Sequence, residues 1–183
     1  MSNRVKEIVV ISGKGGTGKT TVSSAFAALS KGNTLLVDAD VDASNLGIIA
    51  HGEVASASEF YAGHQAVIDS SKCTSCGICE SMCHYKAITH TEDGIYRVNP
   101  LLCEGCKLCV KVCPSDAIDW NERLVGNIEH LHTRFGPLIS AHLYPPGENS
   151  GKLVTEVRKK GQEVAKEMGK DLIIVDGPPG IGC

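Results

Sequence analysis

Eight of the nine cysteines fall in two runs of identical spacing. Cys73, Cys76, Cys79 and Cys83 are followed, 30 residues on, by Cys103, Cys106, Cys109 and Cys113. Thiolates stepped in this way can wrap the corners of an iron–sulfur cubane. Upstream lies Gly13-Lys14-Gly15-Gly16-Thr17-Gly18-Lys19-Thr20, a glycine-rich loop whose lysine and hydroxyl suit phosphate and a divalent cation. Downstream, the apolar run 172–175 ends at Asp176, a carboxylate of the kind that serves Mg²⁺ at such a loop. In chain order, a metal–sulfur module interrupts a nucleotide site.

The phosphate motif GxxxxGK[ST] is matched by Gly13, Gly18, Lys19 and Thr20. Gly13, Gly15, Gly16 and Gly18, with Thr17 among them, leave backbone N–H groups free to face phosphate oxygens. The helix that follows adds a positive N-terminal end. Lys19 would reach the β- and γ-phosphates of ATP, the Thr20 hydroxyl would bind Mg²⁺, and Thr21 completes the nucleotide-contacting set. The alternative is a glycine-rich turn with no ligand. A strand before the loop and a helix after it weigh against that alternative.

CxxCxxCxxxC, twice, is the bacterial two-cluster ferredoxin pattern, in which the fourth cysteine of each run serves the other cluster. The pattern assigns Cys73, Cys76, Cys79 and Cys113 to one [4Fe–4S] cluster and Cys83, Cys103, Cys106 and Cys109 to a second. Four thiolates per cluster leave no open iron, which favours electron transfer over substrate chemistry. Two Cys₄ zinc sites are the alternative, but zinc more often takes paired CxxC elements. Pro114 follows the second run whereas His84 follows the first, so the two clusters need not be tuned alike. Cys183 lies outside both runs and reads as a small residue beside an acidic strand end, with a reactive thiol as the alternative.

The elements that must hold these groups read as α/β. Residues 5–11 predict a buried parallel strand and 20–30 a helix with Val22, Ala25, Phe26 and Leu29 on its apolar face. Gly32 is a candidate C-cap, and 34–37 a second buried strand ending at Asp38. Residues 50–71 show only a weak pattern. Tyr85-Lys86-Ala87-Ile88 aligns with Ser115-Asp116-Ala117-Ile118, so 72–120 is an internal repeat joined through 96–100. Residues 121–144 alternate around Gly136-Pro137 as a β-hairpin would. Ser150 is a plausible N-cap for a helix over 151–168, and 172–175 a third buried strand. The expected fold is a doubly wound, mostly parallel sheet of P-loop type over 1–60 and 121–183, with an inserted two-cluster ferredoxin-like α+β module over 61–120. Three core strands are few for such a sheet, which predicts that the nucleotide domain is incomplete at its C-terminal end.

The loop Lys14-Gly15-Gly16-Thr17-Gly18-Lys19-Thr20 resembles the deviant Walker A motif of the MinD, ParA, Mrp and nitrogenase iron protein families. With the cysteine runs, the whole chain resembles MinD-superfamily P-loop ATPases that carry an inserted ferredoxin domain. The resemblance implies that Lys14 reaches across a homodimer to the partner's nucleotide; a solvated loop lysine is the alternative. It implies that Asp40 orients the attacking water and that Asp38 organises the Mg²⁺ shell. Asp42 reads more simply as a solvated carboxylate. Asp176 takes the place of a Walker B aspartate, and Gly177-Pro178-Pro179-Gly180 that of a switch whose Gly180 N–H senses the γ-phosphate. The segment 148–154 is also similar to the family, with no role derivable from its residues.

Composition bounds the rest. The chain has 183 residues, net charge −3 and 4% aromatic residues, which argues against nucleic acid as the default partner. No run of 18 apolar residues predicts a membrane span, and the polar start predicts no signal peptide. Thiolate clusters beside a P-loop point to a reducing cytoplasm. The implied function is an ATPase that couples a nucleotide-dependent dimer cycle to electron transfer through two [4Fe–4S] clusters, toward a redox partner protein. An Mrp-like carrier delivering clusters to an apo-protein acceptor and a MinD-like positioning ATPase are the competing readings.

Overall fold

The computed structural model describes residues 5–30, 32–145 and 150–180. In chain order the elements are β1 Lys6–Ser12, α1 Lys19–Leu29, β2 Thr34–Asp38, α2 Leu46–Ile49, β3 Glu53–Ile68, α3 Ile78–Met82, β4 Ile88–His90, β5 Tyr96–Val98, α4 Leu108–Val112, β6 Ile118–Thr133, β7 Gly136–Leu143, α5 Ser150–Glu167 and β8 Leu172–Pro179. The chain divides into two compact units, 1–60 with 125–183, and 61–124. The second boundary falls inside β6, four residues beyond the expected 120.

The first unit is built on a sheet of order β1-β8-β2-β7-β6-β3. β1, β8, β2 and β7 pair in parallel, and β6 runs antiparallel to β7. Period-2 alternation sends the side chains of β2 to opposite faces. Leu35 and Val37 join Leu153, Val157, Val164 and Ala165 of α5 in one core. Leu36 joins Ala27 of α1, Leu46 of α2 and Leu138 in the other. Gly161 lets α5 sit close to the sheet: a Cβ there would lie 2.5 Å from Val37 Cγ2.

Several expectations change. β1 is not buried: it bonds only to β8, at the sheet's edge, and leaves Ile8 41% and Ile11 70% exposed. On α1 the buried face is Lys19, Ser23, Ser24 and Ala27, while Val22, Phe26 and Leu29 face outward. Small side chains, rather than the apolar stripe, meet the sheet there, and Ser23 is used for a polar contact described below. The weak stretch 50–71 holds a 16-residue strand, β3, most of whose residues are exposed. Its polar and small residues carry little apolar signal. The expected hairpin is present as β6 and β7, with Thr133 paired to Gly136. β7 also pairs in parallel with β2, so the sheet has a fourth parallel strand that hairpin reading alone does not disclose.

The second unit is a pseudo-twofold repeat. β4 and β5 form an antiparallel pair. The Asp69 N–H donates to Ala117 O at 2.8 Å, and 30 residues on, the Asn99 N–H donates to Ala87 O at 2.7 Å. Backbone conformation repeats as well: Lys86 and Asp116 have φ 51° and 49°, and Ser75 and Gly105 have φ 54° and 63°. Its core joins Ala66, Cys79, Ile88 and Ile118.

Candidate functional site

The cysteines of the repeat line two separate cavities. One is bounded by Cys73, Cys76, Cys79 and Cys113 with Ile68, Tyr96 and Ile118. The other is bounded by Cys83, Cys103, Cys106 and Cys109 with Ala66, Tyr85 and Val98. These are the two crosswise ligand sets that the spacing assigns. Each run turns into a five-residue helix, α3 or α4, entered through a left-handed residue, Gly77 or Lys107. Among the described residues, no three His, Cys, Asp or Glu side chains converge closely enough to hold a single metal ion. Four thiols around an apolar cavity fit a cluster.

The fourth cysteines are held alike. The Ala87 N–H donates to Cys83 Sγ and the Ala117 N–H to Cys113 Sγ, both at 3.3 Å. The left-handed Lys86 and Asp116 turn those amides toward sulfur. Burial raises the thiol pKa of Cys79 and Cys109. Cys113 departs from them: burial acts to raise its pKa, but hydrogen bonds from Ala117 and Ser115 bring it below the ordinary value.

The surroundings of the two cavities differ. Beside Cys103 and Cys106, Trp120 donates its indole N–H to Gly105 O at 3.0 Å and stacks on His64 at 3.5 Å between ring centroids. Lys107 Nζ lies 4.5 Å from the Trp120 centroid. At the other cavity Tyr96 stands against Gly77, where an added Cβ would lie 3.1 Å from its hydroxyl. Burial, then the neighbouring Glu80 carboxylate, raise the Tyr96 pKa. None of Ser115, Trp120 or His64 was singled out by spacing; only the 30-residue comparison brings Ser115 forward, as the counterpart of Tyr85.

In the first unit, β1 ends at Ser12 and the loop 13–18 leads into α1. Gly16 and Gly18 have φ 74° and 88°, and a Cβ on Gly13, Gly15, Gly16 or Gly18 would meet nothing within 4 Å. The loop is therefore open on the side its glycines present. Thr17 Oγ1 donates to Lys14 O at 3.2 Å. Lys14 and Thr21 are exposed, Thr20 is half-buried, and Lys19 is buried, with Nζ 3.7 Å from Asp40 Oδ2.

Asp38, the last residue of β2, is the register partner of Asp176, which lies within β8 rather than at its end, since the strand runs on to Pro179. Ser23 Oγ donates to Asp176 Oδ1 at 3.0 Å, and Asp176 Oδ2 is buried with no hydrogen-bond partner. An orphaned buried oxygen on the carboxylate that Ser23 bonds, Ser23 itself standing one helical turn along α1 from Lys19 and Thr20, fits a cation site. Asp38 uses both oxygens within the protein. Oδ1 accepts the Asp40 N–H at 3.2 Å, and Oδ2 accepts Ser44 Oγ at 2.7 Å and the Leu46 N–H at 2.9 Å. Asp38 thus tethers the 40–46 segment. Burial pushes its pKa up to about 6 against these bonds. Burial also raises Asp40, opposed by Lys19. The Gly180 N–H donates to Ser12 O at 2.8 Å rather than standing free. Asp42 is exposed. Residues 148–149 of the segment 148–154, and Cys183, lie outside the described residues.

Residues 66–120 match the model of the 4Fe-4S dicluster domain. The chain is similar to an uncharacterized protein of Methanocaldococcus jannaschii, at 34% identity over 182 residues, covering 98% of this chain and 62% of that protein. It is similar to pyruvate synthase subunit PorD of the same organism, at 35% identity over 52 residues, 28% of this chain and 60% of the subunit. It is also similar to a ferredoxin of Pyrobaculum islandicum, at 44% identity over 57 residues, 30% of this chain and 50% of the ferredoxin. The chain therefore spans less than two thirds of the length of these relatives. It carries a ferredoxin-like 4Fe-4S domain of the electron-transfer type, beside a mixed α/β unit with a mostly parallel sheet. No helix among the described residues is long and apolar enough to cross a membrane.

Proposed function

We propose that this chain is a nucleotide-gated electron carrier of the MinD-superfamily type, in which ATP and Mg²⁺ at the glycine loop control electron transfer through two [4Fe–4S] clusters. The observation that carries the nucleotide half is the convergence of Lys19, Asp40 and Asp176 at one end of the parallel strands. A buried ammonium facing a carboxylate, with an unpartnered carboxylate oxygen nearby, is chemistry suited to a phosphate–magnesium pair. When bound, the clusters supply one-electron chemistry; the eight cysteines hold them and the apolar cavity walls limit water. Asp38 holds the 40–46 segment and with it Asp40. The exposed Lys14 is free to reach a second copy of the chain, as a homodimer through nucleotide requires. A redox enzyme is the class of partner the cluster domain suits, in line with the similarity to PorD, a subunit of pyruvate synthase.

The test is anaerobic reconstitution of the chain followed by stopped-flow reduction, with and without MgATP. About eight irons and eight acid-labile sulfides per chain are expected, and MgATP should change the reduction rate of the clusters. Lys19→Ala should abolish that effect at unchanged iron content. Full iron content with no response to MgATP would refute the gating half alone. Transfer of intact clusters to an apo-protein acceptor would replace the electron-carrier reading with a carrier of clusters.

A further inference from the structure

The internal repeat acts as its own control. Positions 30 residues apart share backbone conformation, and both fourth cysteines accept an equivalent amide N–H bond at 3.3 Å. Among the described contacts, one side-chain hydroxyl on a ligand sulfur has no counterpart in the other half. Ser115 Oγ lies 3.6 Å from Cys113 Sγ. Its counterpart is Tyr85, 45% exposed and turned edge-on to His84, with ring centroids 5.5 Å apart.

A cluster-bound cysteine is a thiolate and has no proton to give. The Ser115 hydroxyl must then be the donor. A donor on a ligand sulfur stabilises the added negative charge of the reduced site more than that of the oxidised site, one of the ways a protein raises a cluster's potential. We infer that Ser115 is a tuning residue that makes the site of Cys73, Cys76, Cys79 and Cys113 the more easily reduced of the two. This rests on the two-cluster reading above.

Charged neighbours push the other way. Glu80 stands beside Tyr96 and Asp116 acts on Cys113 at the first site, whereas the counterpart of Asp116 is Lys86 and Lys107 lies over Trp120 at the second, accompanied by Glu104 on the same cavity wall. Asp116 and Lys86 are exposed. Glu80, Glu104 and Lys107 are all exposed, so water and salt screen them. The Ser115 contact is half-buried and made directly to sulfur, so it outweighs them.

The test is a reductive titration of the reconstituted full chain with dithionite, followed by EPR. The wild type should show two distinct midpoints. Ser115→Ala should lower the higher one by a factor of up to about ten in the reduction equilibrium, about 59 mV for one electron, leaving the other in place. Ser115→Thr, which keeps the hydroxyl, should restore it. Tyr85→Ser should build the missing donor and raise the lower midpoint. Coincident wild-type midpoints, an unmoved higher midpoint in Ser115→Ala, or equal shifts at both sites would each overturn the inference. So would a larger movement in Glu80→Gln or Lys107→Gln. Fewer than about eight irons in the wild type would instead refute the two-cluster reading itself.

Discussion

Asp38 and Asp176 are register partners on adjacent parallel strands, 0% and 1% exposed, their carboxylates brought to the same end of the sheet. Two acids side by side in a desolvated position are costly to ionise together. Asp38, pushed up to about 6 mainly by burial with Asp176 as a lesser contributor, carries part of that cost.

The first prediction follows from linkage. The native pKa of Asp38 lies above its unfolded value, so the native state holds a proton that the unfolded state has lost between about pH 4 and 6. The stability contributed by this group is therefore full below about pH 4 and lost as pH rises through 6. Asp38→Asn, which mimics the protonated acid, should gain on the wild type by something on the order of 3 kcal/mol between pH 4 and 7. Urea titrations of both proteins across that range, without nucleotide or Mg²⁺, would measure it. A difference that stays flat with pH would contradict the assignment.

Ser23 supplies the hydrogen bond that Asp176 accepts from the protein's side chains, across the buried junction of α1 and β8. Ser23→Ala should cost about 1–3 kcal/mol, the penalty for leaving a buried acceptor without its donor. The loss should shrink when Mg²⁺ and nucleotide are present, if the cation takes up the freed oxygen. Chemical denaturation with and without MgATP reads both effects.

Ser23 also shows where sequence reasoning reaches its limit. The loop between a strand and a helix, the end of β2 at Asp38 and the two cysteine runs were legible because they are tied to local spacing, whereas β8 runs past its expected end at 175 to Pro179. The apolar stripe of α1 pointed to Val22, Phe26 and Leu29, yet the helix buries Ser23, Ser24 and Ala27. Periodicity detects an apolar face; it does not detect a polar side chain buried because a carboxylate 153 residues away needs a donor. β3 was missed for a related reason: a strand with few buried side chains leaves no alternation to read. The crosswise cysteine sets were legible through the repeat, while the pairing of Trp120 with His64 depends on residues 56 apart that carry no shared motif.

Gly105 predicts a selective lesion. Its φ of 63° is left-handed, and a Cβ there would run into the His64 carbonyl. Ser75, its counterpart, carries a side chain at φ 54° and uses it to bond Gly94 O at 3.0 Å. Gly105→Ala should therefore displace the loop between Cys103 and Cys106 and leave the other site intact, cutting iron from about eight to about four per chain. Ser75→Ala should keep the full complement. Iron and sulfide analysis with EPR separates the two, and equal losses in both variants would contradict the asymmetry.

Lys14 and Lys19 share a loop but not an environment. Lys19 is buried against Asp40, whereas Lys14 is exposed and its backbone oxygen accepts from Ser12 and Thr17. Their substitutions should separate binding from turnover. If the loop binds ATP as proposed, Lys19→Ala removes the charge that would meet the phosphates and should weaken ATP binding at least tenfold, about 1.4 kcal/mol, by fluorescence titration with a labelled nucleotide. Lys14→Ala should leave that affinity within a factor of about three, because an exposed side chain with no buried partner contributes little to a site in its own chain. If Lys14 acts on the nucleotide of a second copy, the same variant should lose the dependence of hydrolysis on protein concentration and the nucleotide-induced dimer seen by light scattering. Normal turnover and dimerisation in Lys14→Ala would leave the lysine a solvated loop residue and remove the basis for a dimer cycle.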